Sequence, residues 1–144
     1  MTKKLKNYTT KVSAIQSINE IQVALVTHGA AGILFEYEKE TGKIAALKFR
    51  MVIKGQDMMF KMPVEWREFQ AVLQQQEVKR ADDDEYVYRV AWRILRDWIM
   101  AQMAIYEAKN VSIPQLLLGF GMYNESLTVY QAIQEKGLFL GSGK

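Results

Sequence analysis

The chain has 144 residues, of which 49% are hydrophobic and 24% are charged. This length and composition predict one folded domain over residues 1–144 and argue against a disordered chain. Cysteine is absent, which excludes disulfides and thiolate metal ligands. The formal net charge of +3 favours anionic partners, although only mildly. No apolar run is long enough to cross a bilayer, and we expect no membrane partner.

The N-terminal half predicts a strand, a helix and then three more strands. Residues 8–12 are a short β-prone run. Ser17-Ile18-Asn19-Glu20 has the pattern of a capping box, so we expect a helix that begins there and ends at Gly29. Alternating apolar and polar residues predict strands over 31–38, 44–54 and 58–62, separated by turns.

The second half is predicted to be helical. Helices are expected over 64–76, over 86–106, from Ser112, and from Asn124 or Glu125 to Lys136, with Gly137 ending the last one. The order of elements predicts an α+β fold. It consists of a β-α-β-β-β unit with an antiparallel meander sheet, followed by a helical half with a long apolar central helix.

That central helix, residues 86–106, is apolar on two sides. One row consists of Val87, Ala91, Ile94, Trp98, Ala101 and Ile105, and the other of Tyr88, Trp92, Leu95, Ile99, Met103 and Tyr106. A helix on the surface of a domain needs only one such row. We therefore expect both rows to be covered, either by the rest of the chain or by a second copy. The helix predicts a homo-oligomer, most simply a two-fold dimer.

Basic residues on the predicted sheet form the first candidate ligand-binding site. Lys48, Arg50 and Lys54 share one face of a strand, and Lys61 belongs to the neighbouring strand about 4.8 Å away. Such a surface could bind two or three phosphates. The alternative is a solvated sheet face on which Glu36 and Glu38 act as counter-ions.

Three arginines of the long helix form the second candidate ligand-binding site. Arg89, Arg93 and Arg96 are spaced at i, i+4 and i+7, and each guanidinium offers the planar donor geometry that suits phosphate. Glu85 and Asp97 could instead pair with two of these arginines along the helix.

The residues give no basis for catalysis or for a metal or cofactor. His28 is the only histidine, and its place in a last helical turn favours a capping role. The acidic run 82–85 has neither the length nor the glycine of a calcium loop. No phosphate-binding glycine motif or nucleophile with a placed base is present. We expect a protein that is not an enzyme.

Several stretches resemble a family of small proteins encoded by phages and prophages of Gram-positive bacteria. They are YTTKV at 8–12, INEIQVAL at 18–25, HGA at 28–30, LKFR at 47–50, and VAWRI, DW and AQ within 90–102. The resemblance spans most of residues 8–135 and brings no binding residues with it. It implies a small accessory protein of the bacterial host cytoplasm that acts by binding.

Three hypotheses for the function follow. The first is sequestration of a small anionic ligand, a nucleotide immune signal of the host, in a basic pocket between protomers. The second is nucleic-acid binding in phage DNA metabolism, and the third is inhibition of a host protein through an apolar surface. A structural role in the virion stays open.

Overall fold

The computed structural model describes residues 3–109 and 111–137 and has an α+β architecture. Its helices are α1 (Ala14–Thr27), α2 (Trp66–Gln75), α3 (Asp84–Glu107), α4 (Ile113–Leu117) and α5 (Val129–Lys136), with a 3₁₀ helix at Leu118–Phe120. The strands are β1 (Ala30–Tyr37), β2 (Ile44–Ile53) and β3 (Gln56–Pro63). They form one antiparallel sheet in the order β1-β2-β3, which confirms the predicted α+β class and the meander.

The strand predicted over 8–12 is wrong, and the sheet has no strand before α1. The chain turns here instead, because Asn7 has a φ of 63° and the Thr10 amide donates to the Asn7 carbonyl at 2.9 Å. These residues have β propensity, but the turn and the side chains that donate to their carbonyls determine their conformation instead. The unit that forms is therefore α-β-β-β.

Helix α1 begins four residues before the predicted capping box. Its N-cap is Ser13, whose hydroxyl accepts from the Gln16 amide, so Ser17 lies inside the helix and is fully buried. Two serines offer cap chemistry here, and the first one is used. Glu20 consequently does not cap the helix, and its carboxylate is available for partners outside α1.

The sheet separates apolar from charged residues as predicted. Leu47, Phe49 and Met51 of β2 are buried, whereas Lys48 and Arg50 point to the other face. Phe49 lies opposite Phe60 of β3, and their rings stack with centroids 5.2 Å apart. This aromatic pair belongs to the core beneath the sheet.

Helix α3 has 24 residues, and its burial changes along its length. Val87 and Ala91 of the first row are buried, and so are Tyr88 and Trp92 of the second. Near the C-terminus Ala101 and Ile105 of the first row are exposed, whereas the second row is still buried at Met103 and is exposed only at Tyr106. Burial of the N-terminal half therefore needs no second copy, and the oligomer stays a prediction.

The C-terminal helices begin at polar caps. Ser112 and Gln115 form the capping box of α4, as expected of a helix starting at Ser112. The last helix starts later than predicted, because Thr128 caps it while Asn124 accepts amide protons within a turn. Gly137 ends α5 in a left-handed conformation, as expected.

The described residues form two compact units. The helical unit comprises residues 3–28 and 64–104, and the sheet unit comprises residues 29–63, 105–109 and 111–137. Within the described ranges, no helix has the combined length and apolarity required to cross a membrane.

Candidate functional site

The residues before α1 form an irregular N-terminal segment, residues 3–13, that is held by side chains of the helical unit. The Tyr86 hydroxyl donates to the Tyr8 carbonyl, and Arg89 Nε donates to the Thr10 carbonyl at 3.2 Å. These carbonyls have no strand partner, so the two donors supply the hydrogen bonds that a sheet would have provided.

The start and middle of the same segment have further partners. The Leu5 amide donates to Gln76 Oε1 at 2.7 Å, and Lys4 Nζ donates to the Gln76 carbonyl at 2.8 Å. Asn7 donates to the Asp97 carboxylate at 2.9 Å. The segment is therefore attached along its length to α3 and to the end of α2.

A cavity of about 370 Å³ lies between this segment, the loop that follows α2, and the start of α3. Its wall includes five cationic side chains, which we name the basic pocket: Lys4, Lys11, Lys79, Arg80 and Arg89. Glu77 is the one carboxylate of the wall, and Tyr8, Tyr86, Thr9 and Thr10 supply aromatic and hydroxyl groups.

The cations of the basic pocket are only partly neutralised. Arg80 pairs with Asp83, which lies outside the wall. Among the described residues, Lys11 and Lys79 take part in no ion pair. The pocket therefore keeps an excess of positive charge, and a bound anion would be attracted without displacing an internal carboxylate.

Tyr86 lies at the centre of this arrangement. Its side chain is buried, and burial raises the pKa of its hydroxyl, although the positive charges of Arg80 and Arg89 act in the opposite direction. The hydroxyl is therefore protonated at neutral pH and donates its hydrogen bond. The guanidinium carbons of Arg80 and Arg89 lie 5.2 and 5.5 Å from its ring centroid, within cation–π range.

The three arginines of α3 that were predicted to form one site have different partners. Arg89 belongs to the basic pocket, but Arg93 and Arg96 both bind Glu20 of α1, with N–O distances of 3.0 and 2.7 Å. Asp97 pairs with Arg96 and with Lys6. Arg93 is thus neutralised by a carboxylate of another helix, and not by Asp97 four residues further along α3, as the spacing suggested.

The predicted basic face of the sheet is also largely neutralised. Lys48 and Lys61 are cross-strand neighbours and share the Glu36 carboxylate, at 2.9 and 3.6 Å. Arg50 pairs with Asp57 at 2.8 Å. The Lys48 hydrogen bond is the main cause that lowers the pKa of Glu36. Glu36 is therefore the counter-ion that the solvated-face alternative expected.

Lys54 is not part of that face. It lies in the two-residue turn between β2 and β3, with φ of 53°, followed by Gly55 with φ of 77°. Ile53 and Gln56 pair on either side of this turn. Lys54 is exposed at the hairpin tip, because the turn ends the strand one residue earlier than predicted.

Sequence reasoning missed four of the five basic residues of the pocket. Arg89 was expected in a site, whereas Lys4, Lys11, Lys79 and Arg80 were not. The adjacent basic pair Lys79-Arg80, which one residue separates from the acidic run 82–85, was the available signal. No cluster of ligating residues suited to a metal ion occurs in residues 3–109 and 111–137.

His28 takes a structural place at the C-terminus of α1. Its Nδ1 donates to the Ala24 carbonyl at 2.7 Å, and its own amide also contacts the last carbonyls of the helix. These contacts provide the C-terminal cap for α1.

Comparison of the chain with protein-family models, with curated proteins and with solved structures finds no match.

Proposed function

We propose that the protein is a non-enzymatic accessory protein that binds and sequesters a small anionic ligand in the basic pocket. One observation carries the proposal: five cations and one carboxylate surround a cavity of about 370 Å³. This volume lies within the range of small-molecule sites, roughly 300–1,000 Å³.

Three of the cations have donors to offer a ligand. Lys11 and Lys79 are exposed side chains of the wall. The hydrogen bond from Arg89 to the Thr10 carbonyl uses Nε and so orients its terminal amino groups. A phosphate bound there would receive charge-assisted hydrogen bonds, which are stronger than those between neutral groups.

We propose a nucleotide immune signal as the ligand class, and counter-defence in the bacterial host cytoplasm as the role. Phosphate suits the basic wall, and the tyrosines and threonines of the wall suit a base and sugar. The immune context comes from the resemblance to phage-encoded proteins.

Nucleic-acid binding and inhibition of a host protein are the competing functions. Single-stranded nucleic acids need exposed aromatic platforms. On the sheet, Phe49 and Phe60 are only 1% and 2% exposed, whereas Tyr37 is 61% exposed, so one of these three aromatic side chains could stack on a base and the platform is incomplete. Host-protein inhibition would use an apolar surface and would not depend on the basic pocket.

The test measures equilibrium binding of AMP, inorganic pyrophosphate and a series of single-stranded DNA lengths. We expect AMP or pyrophosphate to bind and Arg89→Ala to weaken that binding at least tenfold, since a charge-assisted hydrogen bond contributes about 1.5–3 kcal/mol. Lys39→Ala is the matched control, because Lys39 is exposed outside the basic pocket. Affinity that rises with DNA length and falls steeply with salt would support nucleic-acid binding instead.

A second experiment identifies the natural ligand and tests whether the protein leaves it chemically unchanged. The protein is incubated with extract from cells with an activated immune system, purified, heated and analysed by mass spectrometry. An unchanged nucleotide in the supernatant supports sequestration. Recovery of a chemically converted nucleotide would overturn the proposal that the protein is not an enzyme. If no small anion binds, inhibition of a host protein becomes the favoured hypothesis.

We also propose that the protein is a homo-oligomer through α3. The support is the exposed apolar end of this helix, where Ile105 and Tyr106 are more than one third exposed. Light scattering at micromolar concentration should give at least twice the mass of one chain. If the wild type and the Ile105→Glu variant both have the mass of one chain, the proposed oligomer is refuted.

A further inference from the structure

We infer that Tyr86 is the positioning residue of the basic pocket, with its ring orienting two arginines and its hydroxyl holding the N-terminal segment in place. The inference rests on the proposed function for its ligand, but the contacts that support it are independent of any ligand. It adds to the proposal a residue that needs no contact with the anion.

The ring of Tyr86 has a different task from its hydroxyl. Arg80 lies in the loop after α2, whereas Arg89 lies on α3, one helical turn after Tyr86. Both guanidinium carbons lie within 5.5 Å of the ring centroid. Two like charges so placed repel each other, and the electron-rich ring offsets part of this repulsion, together with the Asp83 carboxylate that pairs with Arg80. The ring therefore allows both cations to occupy one wall before an anion arrives.

The hydroxyl of Tyr86 is bound to the N-terminal segment. It donates to the Tyr8 carbonyl, and a tyrosine that is only 4% exposed needs such a partner. This bond is made at Tyr8, which lines the pocket. The next three residues of the chain, Thr9, Thr10 and Lys11, also line it. Loss of the hydroxyl would leave the Tyr8 carbonyl without its donor, and the segment would separate from the pocket more often.

One side chain thus joins the three parts of the wall. The two tasks can be separated, because Tyr86→Phe removes only the hydroxyl while Tyr86→Leu removes both the hydroxyl and the ring. Tyr88→Phe is the matched control. Tyr88 lies two residues away on α3, and its ring packs against Trp66 and Trp92 rather than against the pocket.

The experiment combines two measurements on the full chain. Limited trypsin digestion with mass spectrometry reports cleavage after Lys6 and Lys11 of the segment, and calorimetry reports pyrophosphate affinity. We expect Tyr86→Phe to raise the cleavage rate about fivefold, the effect of one net hydrogen bond, and to weaken pyrophosphate binding by a similar factor. Tyr86→Leu should bind at least another fivefold more weakly, because Arg80 and Arg89 lose the ring.

A merely structural role predicts a different result. In that case Tyr86→Phe and Tyr88→Phe would change cleavage and affinity equally at matched global stability, and this outcome overturns the inference. If Tyr86→Leu does not fold, Tyr86→Phe against Tyr88→Phe decides alone. If the wild type binds no anion, the proposed function fails, whereas the cleavage comparison still tests the attachment of the segment by Tyr86.

Discussion

Arg96 of α3 and Glu20 of α1 form an ion pair with Nε and Oε1 2.7 Å apart, and the same oxygen accepts from Arg93 at 3.0 Å. One carboxylate thereby holds two arginines at the contact between the two helices. Arg93 also donates to the buried Ser17 hydroxyl at 3.3 Å. Two residues that the sequence suggested for a ligand are instead used in packing.

Replacement of Glu20 by Gln should lower the stability of the protein. The variant keeps the size of the side chain but leaves two guanidiniums, 18% and 28% exposed, without their shared negative charge. We expect a loss of about 1 kcal/mol in the free energy of unfolding, measured by urea denaturation. Glu40→Gln in the exposed β1–β2 turn is the control. Equal stability of the two variants would contradict a stabilising pair.

The same carboxylate should make stability depend on acidic pH. The hydrogen bond from Gln16, together with those from Arg96 and Arg93, holds the pKa of Glu20 below its ordinary value of 4.5. The unfolded chain therefore binds a proton more readily, so the contribution of Glu20 is present above pH 4.5 and is lost as pH falls through the folded-state pKa. Denaturation at a series of pH values below 5 should show a smaller loss for Glu20→Gln than for wild type. Parallel curves would count against this linkage.

Replacement of Phe49 by Ala should strongly destabilise the sheet unit. Phe49 is 1% exposed and stacks on Phe60, so truncation leaves a cavity and removes an aromatic pair. A Phe→Ala change in a core costs about 3–5 kcal/mol. Val52→Ala on the same strand is the control, since Val52 is 53% exposed. Denaturant midpoints should separate the two variants, and similar midpoints would place Phe49 outside the core.

Replacement of Lys54 by Asn should stabilise the β2–β3 hairpin. A two-residue turn with positive φ at both positions favours Asn-Gly, whereas lysine is strained at 53°. We expect a gain of about 0.5–1 kcal/mol in the free energy of unfolding and unchanged pyrophosphate binding. Gly55→Ala should have the opposite effect on stability, because its φ is 77° while an added Cβ would meet no atom within 4 Å. If Lys54→Asn binds pyrophosphate more weakly than the wild type, Lys54 contributes to anion binding after all.

Much of the fold could be predicted from local pattern. The alternation around Phe49, the turn at Gly55 and the caps at Ser112 and Gly137 act within a few residues, and the structure contains all of them. The misplaced start of α1 and the missing strand at 8–12 have another cause. At Ser13 and Ser17 two caps compete, and at Tyr8 the backbone bonds to a side chain 78 residues away.

The candidate site could be predicted only in part, because sequence shows which charges exist but not which of them are neutralised. Composition and spacing determined a basic chain with cations at Lys48 and along Arg89, Arg93 and Arg96. Only the tertiary structure decided that Glu36 and Glu20 neutralise most of these, and that Lys4, Lys11 and Lys79 meet Arg89 around one cavity. The physical reason is range: an ion pair depends on a distance of a few ångströms, and chain folding brings together residues that lie about 70 positions apart in sequence.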